Sequence, residues 1–436
     1  MTIFAKKSMF KKSMLVALMG TSLLLAACND DKDDNSQPEP SKPVDYSKNY
    51  INESFYQKDD GSALDSLDSA ASIKVMHYYM PNVLDKKAEA TALIMIPKTP
   101  MPKDGWRVVV WEHGTLGNGD QCAQSRTALG ANSKGLFDEL LKEGYVVVAP
   151  DYEGSGSKGI HPYLNLKSEA LSAIHAVNAF KDGYGAKVQG AWMSVGQSQG
   201  GQASLGTAEY ANKDPNFKGA VAGAPASSLG TIILEVAPGA LGDIDAKEAA
   251  AGVPFDKRVS VDTYATLLSY AAMAGTGITA YNPNFDYKKM FNVESQASAA
   301  KSAGEDGLCL GPLQQSFKQD ILTYLGNNSG KKVMEFPGVN DVAMKTDPVV
   351  TDFLKNHSQP GTKKIDKPIL VIQGVADTNV PYPVTAAMID RLKKLSPENK
   401  DITLLPVPDA GHTQAIVWKR AELVAFIKKH MPNPAS

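Results

Sequence analysis

Gly196-Gln197-Ser198-Gln199-Gly200 sets a serine between two glycines, directly after the strand-like run Gln189 to Val195. A serine carried on a tight strand-to-helix turn tolerates only small flanking residues, and its hydroxyl is then open to attack on a carbonyl. Small residues continue from Gly201 to Ala208, which suits a helix packed close behind the turn. A plain glycine-rich turn has the same spelling, so partner residues must separate the two readings. A hydroxyl becomes a useful nucleophile when a base takes its proton and an acid orients that base and stabilises its charge. Asp377 stands in Gly374-Val375-Ala376-Asp377, just after the apolar run Pro368 to Gln373. His412 stands in Ala410-Gly411-His412, just after Ile402 to Val407. Each of the three sits on a loop at the end of an expected strand.

The chain has seven histidines, so His412 has competitors. His77 falls in an expected edge strand, His175 in a helical run, His357 before a Gln-Pro-Gly loop and His430 at a helix end. His161 stands beside Pro162 and reads as architecture. His113-Gly114-Thr115 follows the strand Val108 to Trp111; the α/β-hydrolases, whose residue order this chain resembles, place an oxyanion loop there, and Gly114 lets the chain turn closely enough to aim an N–H at a developing oxyanion. Thr115 is assigned as that donor, with Gly114 or Leu116 as alternatives, and Gln199 supplies the second N–H. Asp151 and Asp409 rival Asp377 as the acid; Asp377 is preferred because it follows a core strand. Gly154-Ser155-Gly156-Ser157-Lys158-Gly159 matches a dinucleotide fingerprint, yet it leads into His161-Pro162 and opens no helix, which argues against nucleotide binding. No His-Glu-x-x-His or clustered Cys/His set occurs, so neither a metal nor a cofactor is expected.

Short β-type runs alternate with helical segments, the pattern of a mainly parallel sheet covered on both faces. Stretches around His77 to Met80 and Ala90 to Ile96, with Asp85-Lys86-Lys87 between them, predict an antiparallel hairpin at the sheet edge. Arg107 to Trp111 and Tyr145 to Ala149 are continuous apolar runs, as buried parallel strands require. The strand rhythm disappears between about Ser228 and Asp347. The expected organisation is a leader over 1–27, a tether over 28–50, an α/β core over 51–227 and 348–436, and a cap inserted over 228–347. A net charge of −2, with charges of both signs interspersed, excludes a nucleic-acid surface and leaves small-molecule binding in a pocket.

Lys6, Lys7, Lys11 and Lys12 precede an apolar run from Met14 to Ala27, and Leu25-Ala26-Ala27-Cys28 closes it. A run this short with small residues at its end reads as an export signal. The ending resembles a bacterial lipobox, which implies a lipid on Cys28 and attachment to a membrane surface. An ordinary secretory signal is the alternative. Asn29 to Ser47 has almost nothing to bury and reads as a tether. Two cysteines remain, Cys122 and Cys309; in an oxidising compartment they are expected to pair, with two buried thiols as the alternative.

From about Tyr78 to His430 these residues resemble the α/β-hydrolases, and within them the bacterial and fungal secretory-lipase family. The likeness is carried by His113-Gly114-Thr115, Cys122-Ala123-Gln124-Ser125, Ser198-Gln199-Gly200-Gly201, and the Asp377 and His412 loops. The order Ser198, Asp377, His412 is the α/β-hydrolase order. Gln124 and Gln197 depart from the family, which often has proline and tyrosine there. The resemblance implies a disulfide between the oxyanion loop and the cap, which Cys122 and Cys309 would supply. It also implies a serine esterase or lipase acting on a small-molecule ester or lipid. A peptidase with the same triad and a non-catalytic surface protein are the other readings.

Overall fold

The computed structural model describes residues 45–58 and 60–434. The expected leader and Cys28 lie outside them. Among the described residues nine strands form one sheet: β1 (Tyr50–Phe55), β2 (Ala70–Pro81), β3 (Lys87–Pro97), β4 (Trp106–Glu112), β5 (Val146–Pro150), β6 (Val188–Gln197), β7 (Phe217–Gly223), β8 (Ile369–Gly374) and β9 (Ile402–Val407). Their spatial order is β1-β2-β3-β5-β4-β6-β7-β8-β9. Pairing is antiparallel from β1 to β5 and parallel from β5 to β9. This is an α/β-hydrolase sheet. The hairpin expected at its edge is not the edge. Tyr50 to Phe55 pairs outside β2, so Tyr50, read as the end of the tether, already belongs to the sheet.

Alternation along buried strands divides the core into two layers. Val109 and Trp111 of β4 join one cluster with Phe137 and Leu141 of α1 (Ala131–Lys142). Val108 and Val110 face the opposite cluster, with Val177 and Phe180 of α2 (Leu166–Tyr184). Both faces of the central strands are covered, which explains their unbroken apolar runs.

Between β7 and β8 the chain forms helices and no named strand, from Leu229 to His357. They have a core of their own, built around Val259–Ile278 and Leu310–Asn327. Val350 and Phe353 bury into it, so helices beyond Asp347 pack with those before it. Two segments of this insertion, Ile232–Val236 and Phe353–His357, are wound as π-helix, a departure often found beside functional sites. No helix among the described residues is long and apolar enough to cross a membrane.

Candidate active site

Ser198 ends the turn between β6 and α3 (Gln199–Tyr210), with φ 60° and ψ −117°. A non-glycine residue there is strained, and its neighbours account for why the turn must be so tight. A Cβ on Gly196 would lie 2.0 Å from the Gly200 carbonyl oxygen, and one on Gly200 would lie 1.7 Å from the Glu112 oxygen. Both obstacles are backbone atoms, so only glycine fits. The strained peptide is held by Ser198 N–H donating to Gly223 O at 2.8 Å and by Ala226 N–H donating to Ser198 O at 3.1 Å.

Strand ends β8 and β9 bring the partners in. His412 Nε2 lies 2.8 Å from Ser198 Oγ, and His412 Nδ1 lies 2.8 Å from Asp377 Oδ2. With a carboxylate at Nδ1, that nitrogen carries the proton and Nε2 is free to accept the serine hydroxyl. Asp377 is fixed from every side. Its Oδ2 also accepts from Gln373 Nε2 at 2.9 Å, and its Oδ1 accepts from the N–H groups of Asn379 and Val380 at 2.8 and 2.9 Å. Gln197 Nε2 donates to the His412 carbonyl at 3.2 Å, fastening the loop that carries the base. The rival acids are elsewhere: Asp409 is exposed, and Asp151 is buried and occupied by Thr91 Oγ1 and Ser125 N–H at 2.7 and 2.9 Å.

The loop after β4 passes directly over the serine. A Cβ on Gly114 would lie 3.7 Å from Ser198 Cβ. No hydrogen bond from the Thr115 N–H occurs among the described residues, and Gln199, as the first residue of its helix, has no intrahelical acceptor for its own. The loop is tied to the insertion by the Cys122–Cys309 disulfide and by Leu310 N–H donating to Leu116 O at 2.7 Å. His113 sits in the same loop with Nδ1 donating to Gly114 O at 2.7 Å, and burial holds its pKa down. It is therefore a neutral, structural histidine.

Two cavities meet at Ser198. One of about 290 Å³ lies toward α1, where Gln124, Asn132, Ser133 and Arg420 give it a polar wall. The other is narrow, about 50 Å³, and runs into the insertion between Ala226, Ile232, Leu267, Ala271, Phe353 and Val380. Tyr270 lines both, and its phenol is pushed up to about 12 by burial and then by the Asp377 charge. It stays neutral. The sequence singled out Ser198, Asp377, His412, Thr115 and Gln199, and these residues come together. It did not reveal Gln373 and Gln197 as their supports, or Tyr270 as a wall of both cavities. A polar Gln373 closing a fully buried strand was a usable signal; Tyr270 had none, because its place depends on how the insertion folds back.

The fold and site define a serine hydrolase of the α/β-hydrolase class, similar to secretory lipases. The secretory lipase family model matches residues 123–248, which include Ser198, and the prolyl oligopeptidase family model matches residues 345–433, which include Asp377 and His412. No curated protein matches. Among solved structures, a putative hydrolase from Legionella pneumophila is 17% identical with a TM-score of 0.63, covering 89% of this chain and 100% of that one. Candida antarctica lipase A is 17% identical with a TM-score of 0.62, covering 90% of this chain and 84% of its own. The rice cell wall degrading esterase of Xanthomonas oryzae is 15% identical with a TM-score of 0.59, covering 88% and 98%. At these identities the likeness is one of fold.

Proposed function

We propose that the chain hydrolyses carboxylic esters through an acyl-enzyme on Ser198. The observation that carries this reading is the pair of cavities meeting at the serine: the narrow apolar slot suits an acyl chain, and the larger cavity, of mixed lining with Gln124, Asn132, Ser133 and Arg420 among apolar side chains, suits the alcohol portion. Ser198 Oγ attacks the acyl carbon while His412 Nε2 takes its proton, and Asp377 holds the imidazolium. The N–H groups of Thr115 and Gln199 donate to the oxyanion. Collapse breaks the ester bond, and His412 returns the proton to the departing alkoxide. Water then attacks the acyl-enzyme with the same base, releasing the acid and restoring the serine. Proton transfer and the oxyanion donors each contribute on the order of a hundredfold or more in rate. Ser198→Ala should abolish turnover of p-nitrophenyl esters and labelling by a fluorophosphonate; unchanged labelling would sink the assignment.

Amide cleavage by the same triad is the second reading, favoured by the prolyl oligopeptidase match over the acid and base. Parallel rates on p-nitrophenyl esters and aminoacyl nitroanilides separate the two. In the ester reading the insertion, expected over 228–347 and running on to His357, acts as the cap that selects the acyl chain. Export through residues 1–27 and attachment through lipidated Cys28 belong to the same proposal, and the disulfide suits an oxidising compartment. Cys28→Ser should release the protein from membranes in fractionated cells, and membrane retention of that variant would refute the anchor.

A further inference from the structure

Gln199 is buried, and its side chain points away from the cavities. Its Nε2 donates to Glu169 Oε1 at 2.8 Å and to His161 Nε2 at 3.0 Å, which uses both amide protons. Since His161 Nε2 accepts, its proton is on Nδ1, which donates to Glu153 O at 2.9 Å. Burial lowers the His161 pKa to about 4, in keeping with this neutral tautomer. Glu169 Oε1 also accepts the Leu164 N–H at 2.9 Å, so one carboxyl oxygen holds both Gln199 and the segment 161–164. The residue before Leu164 reaches the other side of the site: Tyr163 OH lies 2.7 Å from Thr115 Oγ1. The tyrosine cannot back away, because the helix Val259–Ile278 lies against it, with a Cβ on Gly277 falling 2.6 Å from Tyr163 N.

Thr115 and Gln199 lie on different loops, after β4 and β6; the ladder pairs those strands as far as Glu112 and Gly196 and stops short of the two residues that carry the N–H groups. We infer that Glu169 is a positioning residue which, through His161 to Leu164, sets the spacing of Thr115 and Gln199 and so keeps the oxyanion site formed. This rests on the esterase reading above. Oxyanion donors act only when aimed at where the charge develops, so a small displacement is felt in kcat and leaves ground-state binding unchanged. The groups facing Glu169 are His161, Tyr152, Tyr163 and Glu112. Burial pushes Glu169 up to about 8; its Oε2 has no partner among the described residues, so an amide can replace the carboxyl without losing either accepted bond.

The test compares Glu169→Met, which fills the space without an acceptor, with Glu169→Gln, which keeps Oε1, on p-nitrophenyl butyrate. Glu169→Met should lose about tenfold to a hundredfold in kcat with KM within about twofold, and Glu169→Gln should recover kcat to within about threefold. Tyr163→Phe, which breaks only the link to Thr115, should lower kcat about threefold to tenfold at constant KM. If Glu169→Met fails to fold, the Tyr163→Phe result decides alone. Wild-type kcat in Tyr163→Phe, or equal losses with raised KM in the two Glu169 variants, would overturn the inference. Absence of turnover in the wild-type protein would instead overturn the esterase reading.

Discussion

Asp377→Asn isolates the part of the site that chooses a tautomer. The carboxylate receives four donors, two on each oxygen: His412 Nδ1–H and Gln373 Nε2–H on Oδ2, and the N–H groups of Asn379 and Val380 on Oδ1. An asparagine must turn its NH2 toward one of these pairs. Turned toward Asn379 and Val380, it faces two backbone donors that cannot move, each left unsatisfied at a cost of about 1 to 3 kcal/mol. Turned toward His412, it donates to Nδ1 and moves the imidazole proton to Nε2, which then points a hydrogen at Ser198 Oγ. The base can no longer accept the serine proton. The second orientation costs less, because His412 can change tautomer and the Gln373 amide keeps its bond to Val380 O at 2.9 Å, and it is the inactive one. The loss expected is about ten-thousandfold in kcat, by the precedent of the same substitution in a serine protease triad, which is about 5 kcal/mol. KM should change little, because Asp377 is buried behind His412. Initial rates on p-nitrophenyl butyrate measure the loss, and a thermal melt of the same sample shows that the variant is folded. A folded Asp377→Asn protein within about tenfold of wild type would refute the role of this carboxylate.

Gly200→Ala should fail to fold or lose about 4 kcal/mol or more, because its Cβ would meet the Glu112 carbonyl; a soluble variant with an unchanged melting temperature would contradict the elbow packing. Breaking Cys122–Cys309, which spans a sequence separation of 187, should cost about 5 kcal/mol by loop entropy, read as a lower denaturant midpoint for Cys309→Ser; an unshifted midpoint would show that the link is not stabilising. Stability should also depend on pH in a defined sense. Glu153 and Glu169 have folded pKa values raised to about 7 and about 8 by burial, so their contribution is lost as pH rises through those values. His161 and His175 are both lowered to about 4, so theirs is lost as pH falls toward it. Above the ordinary histidine range only the carboxylates act, and unfolding free energy should fall between about pH 6.5 and 8, by about 2 kcal/mol for Glu169 alone. Glu169→Gln should flatten that slope; urea titrations at stepped pH with an unchanged slope would count against it.

Legibility followed the range of the interactions. The nucleophile turn was readable because its glycines answer a local clash within one turn of chain, and the strands because alternation and unbroken apolar runs report which faces are covered. Asp377 and His412 were readable because core strands announce their ends. The outer strand β1 was not, since Tyr50 to Phe55 lacks an apolar run and is held by the edge of β2. Gln197 looked like a departure from a family pattern, and only the folded chain shows it holding the His412 carbonyl. His161 read as architecture beside a proline, yet it touches the side chain of the residue after the nucleophile.

The sequence alone therefore carried the residues of the proposed chemistry: a serine, an acid and a base in order on strand ends, with the His113-Gly114-Thr115 loop ahead of them. These are properties of residue type and local conformation, which each segment carries by itself. Tertiary structure decided the distances of 2.8 Å that join them, the cavities on either side of Ser198, and the hydrogen bonds that run from Glu169 to Gln199 and Leu164 and from Tyr163 to Thr115. Those depend on segments far apart in the chain meeting through the packing of the insertion on the sheet, which no local pattern encodes.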